Sequence, residues 1–376
     1  MAFQTPLPFD SFDHYNTSQI FLKWTGPVNF AGPGYVFFDT SSINPTAGRC
    51  GTGALQVKGS GPVVPGCGPS SVFPAVSRGI WGVAVSISAF AERTHLFRLH
   101  SGGTDDAHNQ VAIGVNNDGT LFAVRAADHT TSAVDLLGGV PLGVSGQALN
   151  MGVFYYVEVD VTTNNGAGAI TVYVNGVAWL TLTGLNTDPV GSGTMNSVQL
   201  GRVGAGGGTP TTVLTFDDFY QITPIGATPT ARLGDQKVAM RLPLGGNGDE
   251  TGWTPVPGPN HGDMVNQLVP DGDTTYVSAQ APGTKDSYLF PALDIFTGVI
   301  NGVAIVPCAR KDDAGFKQLQ ALVRIAGVDY LSAASAVPSL TSYACFSLLF
   351  PVNPTTSGAW DVATVNAMQP GVLVET

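Results

Sequence analysis

Glu158 and Asp160 stand two residues apart in the run Tyr155-Tyr-Val-Glu-Val-Asp-Val-Thr162. On a strand, side chains two apart share one face. Two carboxylates about 5 Å apart are what a retaining glycosidase uses, one as nucleophile and one as general acid. Jelly-roll glycosidases commonly carry a third acid two residues further on, where this chain has Thr162. The set is therefore incomplete, and two acids decorating a solvated strand face are the simpler reading of the spacing.

A second acidic feature is Phe216-Asp217-Asp218-Phe219-Tyr220. Regular alternation points Phe216, Asp218 and Tyr220 one way and Asp217 and Phe219 the other. An acid among core-facing aromatics needs a partner, because an unpaired buried carboxylate is costly. The N-terminal Phe9-Asp10-Ser11-Phe12-Asp13-His14-Tyr15 offers one. If the first and last strands of the domain are neighbours, Asp10, Asp13 and Asp218 form a calcium-binding candidate, since that ion takes several oxygen ligands. Hydrogen bonding of Asp218 to backbone amides or to His14 is the alternative.

Other chemistry is thinner. The six histidines never occur in H-E-x-x-H or H-x-H spacing. His100 and His108 flank Asp105-Asp106, which reads as a solvated loop rather than a metal site. There is no Gly-x-Ser-x-Gly elbow and no Walker loop. Gly204 to Gly208 lacks the strand-to-helix setting of a phosphate loop. Asn247-Gly-Asp249-Glu250, Asp271-Gly-Asp273 and Lys311-Asp312-Asp313 lack the calcium-loop frame and read as turns. Tyr35, Trp81, Tyr173, Trp179 and Trp253 could stack on sugars if exposed, or pack in a core. No cysteine sits in a C-x-x-C pair, which argues against zinc. Cys50 and Cys67 lie in Gly/Pro-rich segments and could close a loop by a disulfide. Cys308 and Cys345 lie in apolar runs and read as small buried thiols.

The elements that must position these residues are strands. Residues 79–90 alternate, with Val83, Val85 and Ile87 on one side. Residues 109–126 hold a hairpin signal, Asn116-Asn-Asp-Gly119 between apolar runs, and 154–182 read as a meander with a tight Asn175-Gly176 turn. Strands at 197–203 and 212–222 follow. The Pro- and Gly-rich stretch 223–235 reads as a linker. Beyond it, 236–376 alternates again at 298–311, 317–331 and 341–352. It closes on a short helix within 358–371, with Ser357 as cap and Pro370-Gly371 as its end.

Composition agrees with many short strands. The chain has 376 residues, of which 48 are Gly and 26 Pro, and only 11% are charged. The net charge of −11, without basic runs, argues against nucleic-acid binding. No stretch of about 18 apolar residues lacks polar breaks, so a membrane span is not expected. The N-terminus has no basic region ahead of an apolar run, unlike a Sec-type signal peptide.

Two resemblances emerge from these pieces. Phe154 to Asp160, Ile170 to Gly176, Val198 to Gly201 and Phe216 to Phe219, in that order, resemble a concanavalin A-like, laminin-G-type jelly roll. The opening Phe9 to Tyr15, with Lys23-Trp24, looks like the start of many tailed-phage virion proteins carrying that domain. The second half is similar to a region that follows it in phage structural proteins: Leu233-Gly-Asp235, Gly252-Trp253-Thr254, Asp273 to Val277, Ala309-Arg-Lys311, Gly358-Ala-Trp360 and Val365-Asn-Ala367.

The resemblance implies an all-β chain: a concanavalin A-like jelly-roll β-sandwich over 1–222, a linker over 223–235, and a smaller mostly-β assembly domain over 236–376 ending in a short helix. It implies a non-enzymatic structural protein of a tailed-phage virion (tail, collar or capsid decoration), assembled in the host cytoplasm. The expected partners are other virion proteins and further copies of the chain, without nucleic acid or membrane insertion. No cofactor is required, and calcium is the one candidate ion. The alternatives are a lectin-like module for host-surface carbohydrate and, behind it, a glycoside hydrolase using Glu158 and Asp160.

Overall fold

The structure is a computed structural model. It describes the chain except residues 1–8, 14–16, 18–19, 21–23, 25–30, 33–34, 37, 40, 50, 59–65, 104–107, 126–138, 204–211, 224–229, 268–270, 294–297, 338–342 and 346. Among the described residues, the regular secondary structure is almost entirely antiparallel strand. It divides into two compact units, one of Pro6–Val238 and one containing Ala239–Thr376.

The first unit is a two-sheet sandwich. Its strands are β1 (Phe9–Asp10), β2 (Ser41–Asn44), β3 (Ala54–Lys58), β4 (Ser70–Val76), β5 (Arg78–Ile87), β6 (Thr94–His100), β7 (Asn109–Val115), β8 (Thr120–Arg125), β9 (Val140–Ala148), β10 (Tyr155–Thr162), β11 (Asn165–Val174), β12 (Val177–Asn186), β13 (Met195–Val203) and β14 (Val213–Ile222). One sheet runs β12-β11-β10-β5-β14-β3-β2, with β1 also pairing β14. The other runs β9-β8-β7-β6-β13, continuing through Gly66–Cys67 and Phe38–Asp39, with β4 also pairing β13.

Alternation places Val157, Val159 and Val161 of β10 in one core with Val83 and Val85 of β5. Facing them from the second sheet are Val111, Ile113, Leu121, Val198 and Leu200. The hairpins fall where the turn residues require. Asn175 and Gly176 have φ of 47° and 83°, the paired positive values of a type I′ turn between β11 and β12. Gly119, with φ 82°, closes β7 onto β8.

The terminal strands of the sandwich are neighbours: Phe9 lies opposite Tyr220 and Asp10 opposite Phe219. The alternation expected across Phe216 to Tyr220 does not hold. The register shifts between Asp217 and Tyr220, and Asp218 takes φ 51°. This bulge puts both Phe216 and Phe219 into the main core and sends Tyr220 to a second apolar cluster with Ile80, Ala84, Tyr156 and Ile222.

In the second unit the largest sheet joins β15 (Lys285–Ser287), β18 (Gln369–Val374), β16 (Gln318–Ile325) and β17 (Val328–Leu331) in that order, with Ser335–Ala336 also paired to β16. Its core gathers Leu319, Ala321, Val323, Phe350, Trp360, Val365 and Val374. The helix α1 (Val362–Ala367) is shorter than expected. Its cap is Asp361, whose Oδ1 accepts the Thr364 N–H at 2.8 Å, not Ser357, and Pro370-Gly371 lie inside β18. Cys308 and Cys345 are not buried thiols. They face each other across a two-stranded ladder and form a disulfide. The Cys50–Cys67 pairing lies outside the described side chains. No helix among the described residues is long and apolar enough to cross a membrane.

Candidate functional site

Glu158 and Asp160 do share the outer face of their sheet, because the intervening valines face the core. They are not held as an accessible pair. The Glu158 side chain is 0% exposed. One of its oxygens accepts the Tyr220 hydroxyl at 2.5 Å and the Gly234 N–H at 2.8 Å. The other accepts the Arg232 guanidinium at 2.8 Å. Arg232 also lies over the Tyr173 ring, 4.2 Å from its centroid. Asp160 is held by Arg78 through bonds of 2.9 and 2.6 Å. The stretch read as a linker thus ends in a segment docked on the sheet: Leu233 packs with the Tyr156 and Tyr220 cluster, and its N–H donates to the Tyr220 hydroxyl.

The acids at the bulge form a second network centred on Arg49. Its guanidinium donates to Asp218 Oδ2 at 2.9 and 2.6 Å, to Asp235 Oδ1 at 2.5 Å, and to the Gln236 carbonyl. Its backbone N–H donates to Asp217 Oδ2 at 2.8 Å. Asp218 Oδ1 accepts the Val238 N–H at 2.7 Å, and the Tyr156 hydroxyl donates to the Asp218 carbonyl. Asp13 accepts the Gly53 N–H at 2.6 Å. Asp10 is directed elsewhere: one oxygen caps the Phe12 N–H and the other accepts the Trp24 indole at 2.7 Å.

Asp10, Asp13 and Asp218 are therefore not gathered as a calcium set. Among the described residues no three His, Cys, Asp or Glu side chains stand where they could hold a metal ion. A guanidinium supplies the positive charge that the acids at the bulge need. His14 lies outside the described residues.

The electrostatics of this network are strained toward protonation. Burial, with the neighbouring Asp218 charge, pushes the Asp217 carboxyl up to about 7. Burial raises Asp218 too, outweighing the guanidinium, and raises Asp13. For Arg49, burial works to lower the pKa, but its bonds to Asp235 and Asp218 hold it above the usual value.

The outer face of the second sheet carries His95, Arg98 and Arg202, which the sequence did not single out, and His100, which is buried at the end of β6 rather than solvated beside a loop. His95 lies opposite Arg202, Arg98 opposite Gln199 and His100 opposite Ser197 on β6 and β13. Arg98 donates to the Gln199 side chain at 2.8 Å, and the His95 ring lies 5.7 Å from that of Phe122. All of these polar side chains are buried. The signal was present in Thr94-His-Leu-Phe-Arg-Leu-His100, whose polar residues oppose its apolar ones once a bulge between His95 and Phe97 is allowed for.

The remaining candidates are structural where they are described. Trp81 is wholly buried, Tyr173 lies under Arg232, Trp179 packs edge-on against Tyr155, and the Trp253 indole donates to the Thr284 carbonyl. The acidic loops pair locally: Asp249 and Glu250 with Arg324, Asp273 with Arg310, Asp313 with Lys317. Asp105, Asp106, Gly204 to Gly208 and the Tyr35 side chain lie outside the described residues.

No family model matches the chain, and no curated protein does. Three solved structures show what it is similar to. A sialidase shares 12% identity at a TM-score of 0.38, over 60% of this chain and 19% of its own. The cellulose induced protein Cip1 shares 17% at 0.38, over 58% and 99%. The carbohydrate binding module CBM66 from Bacillus subtilis shares 8% at 0.31, over 50% and 98%. The chain thus spans about a fifth of the sialidase's length. These likenesses are distant, and the sandwich is established by its own strand order.

Proposed function

We propose that this chain is a non-enzymatic structural protein of a tailed-phage virion, a tail, collar or capsid-decoration component, in which the jelly roll is a rigid module and the second unit assembles with neighbours. The observation that supports assembly is apolar surface left uncovered in the second unit. Phe316 and Val299 are 66% and 65% exposed, and Val328, Leu331, Leu244 and Leu289 are exposed with them. A groove of about 540 Å³ runs between β17 and the segment after Leu348, lined by Tyr330, Leu331, Leu349, Phe350, Pro351 and Val352. Apolar surface of this kind is what subunit contacts bury. The non-enzymatic reading is supported by Glu158, whose carboxylate oxygens both serve structural hydrogen bonds in a buried site. Mass spectrometry of purified virions tests the proposal: the chain should be present at a fixed copy number. A chain absent from particles and monomeric in solution would contradict it.

A further inference from the structure

One side of the sandwich is formed by two edge strands, β9 from one sheet and β12 from the other. They lie against each other: a Cβ built on Gly143 would come within 2.7 Å of the Leu182 side chain. Edge strands expose unpaired N–H and C=O groups, and monomeric proteins guard them with charge, above all lysine. Among the described residues, neither of these edge strands carries such a guard. Residues 139–157 and 161–187 contain no Asp, Glu, Lys or Arg, in a chain whose net charge is −11. Pro141 removes a single donor from β9. What the side presents instead is apolar: Val144 is 56% exposed, Val177 61% and Met151 60%, with Val140 and Val153 exposed beside them.

We infer that this side is a self-association surface, where β9 pairs antiparallel with β9 of a second copy about a two-fold axis. Charge selects this occupant. Two copies carry equal acidic charge and repel wherever acids face each other, so the edge strands β9 and β12, which carry no acid, are where they approach at least cost. A basic partner would gain nothing there and would favour the acidic surface. The residue order suits an isologous contact: with Val144 at the axis, Val140 comes opposite Ala148 of the second copy, and the apolar Val177 and Met151 flank the ladder. The contact would satisfy the outer backbone groups of β9 and bury side chains that now face water.

This surface is separate from the apolar groove of the second unit, so it does not rest on that unit assembling. The test uses the full-length protein. A photo-crosslinking residue at Val177 should join two copies, with the crosslinked peptide mapping to residues 140–153. Val144→Lys, a charge placed at the exposed strand centre, should abolish that crosslink and halve the mass seen by native mass spectrometry, while circular dichroism and the melting temperature stay as in wild type. Crosslinks confined to one copy, or mapping only to residues 239–376, would overturn this inference and leave the assembly role of the second unit standing. A wild-type chain that is monomeric at every concentration would overturn both.

Discussion

The Arg232 guanidinium meets the Glu158 carboxylate 2.8 Å away, across 74 residues of sequence. It does so from a segment that composition marks as a linker. The pair turns the acid most reminiscent of a glycosidase into an anchor for the chain as it leaves the sandwich. Replacing Glu158 by Ala strands Arg232, the Tyr220 hydroxyl and the Gly234 N–H. The expected loss is about 3 kcal/mol of stability in chemical denaturation. Glu158→Gln keeps part of the hydrogen bonding and should lose less. Wild type and Glu158→Gln should release sugar from host polysaccharide at the same background rate. A drop confined to the variant would restore the hydrolase reading.

The Asp217 network fixes the sign of the pH dependence. Its carboxyl stands at about 7 in the folded chain, against 3.8 for a free aspartate. The folded state therefore holds a proton that the unfolded state has already released. Stability should fall as pH rises from about 4 to about 7 and level off above, at about 1.4 kcal/mol per unit of displacement. Asp217→Asn should flatten that slope in urea titrations at pH 5 and pH 8. A slope unchanged in the variant would place the titration elsewhere.

The Cys308–Cys345 bond closes a loop across 37 residues of sequence in a unit with a modest core. Cys345→Ser should lower the stability of that unit by about 3 kcal/mol. Thermal melts of wild type and variant, with and without reductant, check this. Reductant should bring wild type down to the variant and leave the variant's second-unit transition in place.

The cap of α1 is a smaller, local case. Asp361→Ala removes the acceptor for the Thr364 N–H and should cost about 1 kcal/mol. Ser357→Ala should not remove a cap, because Asp361 is the residue that holds that position. The two variants compared by denaturation separate the assignments.

Much of the fold was legible along the chain because its causes are local. Alternation of Val83, Val85 and Ile87, or of Val157, Val159 and Val161, is enforced by the two-residue period of a strand. Asn175-Gly176 and Asp118-Gly119 mark hairpins because Asn175, Gly176 and Gly119 take positive φ at low cost. These features established an all-β chain, and the same period put Glu158 and Asp160 on one face. What that face meets was decided by tertiary structure. Arg232, Gly234 and the Tyr220 hydroxyl reach Glu158 only once the chain has folded back over the sheet. The bulge at Asp218 exists because Phe216 and Phe219 both gain by entering one core, a preference that outweighs regular alternation. Arg49 rather than a metal serves Asp218, and Cys308 finds Cys345, through pairings between distant segments. A side chain's type and its neighbours in sequence set which contacts it could make. Burial and charge balance among residues far apart in the chain selected the ones it does make.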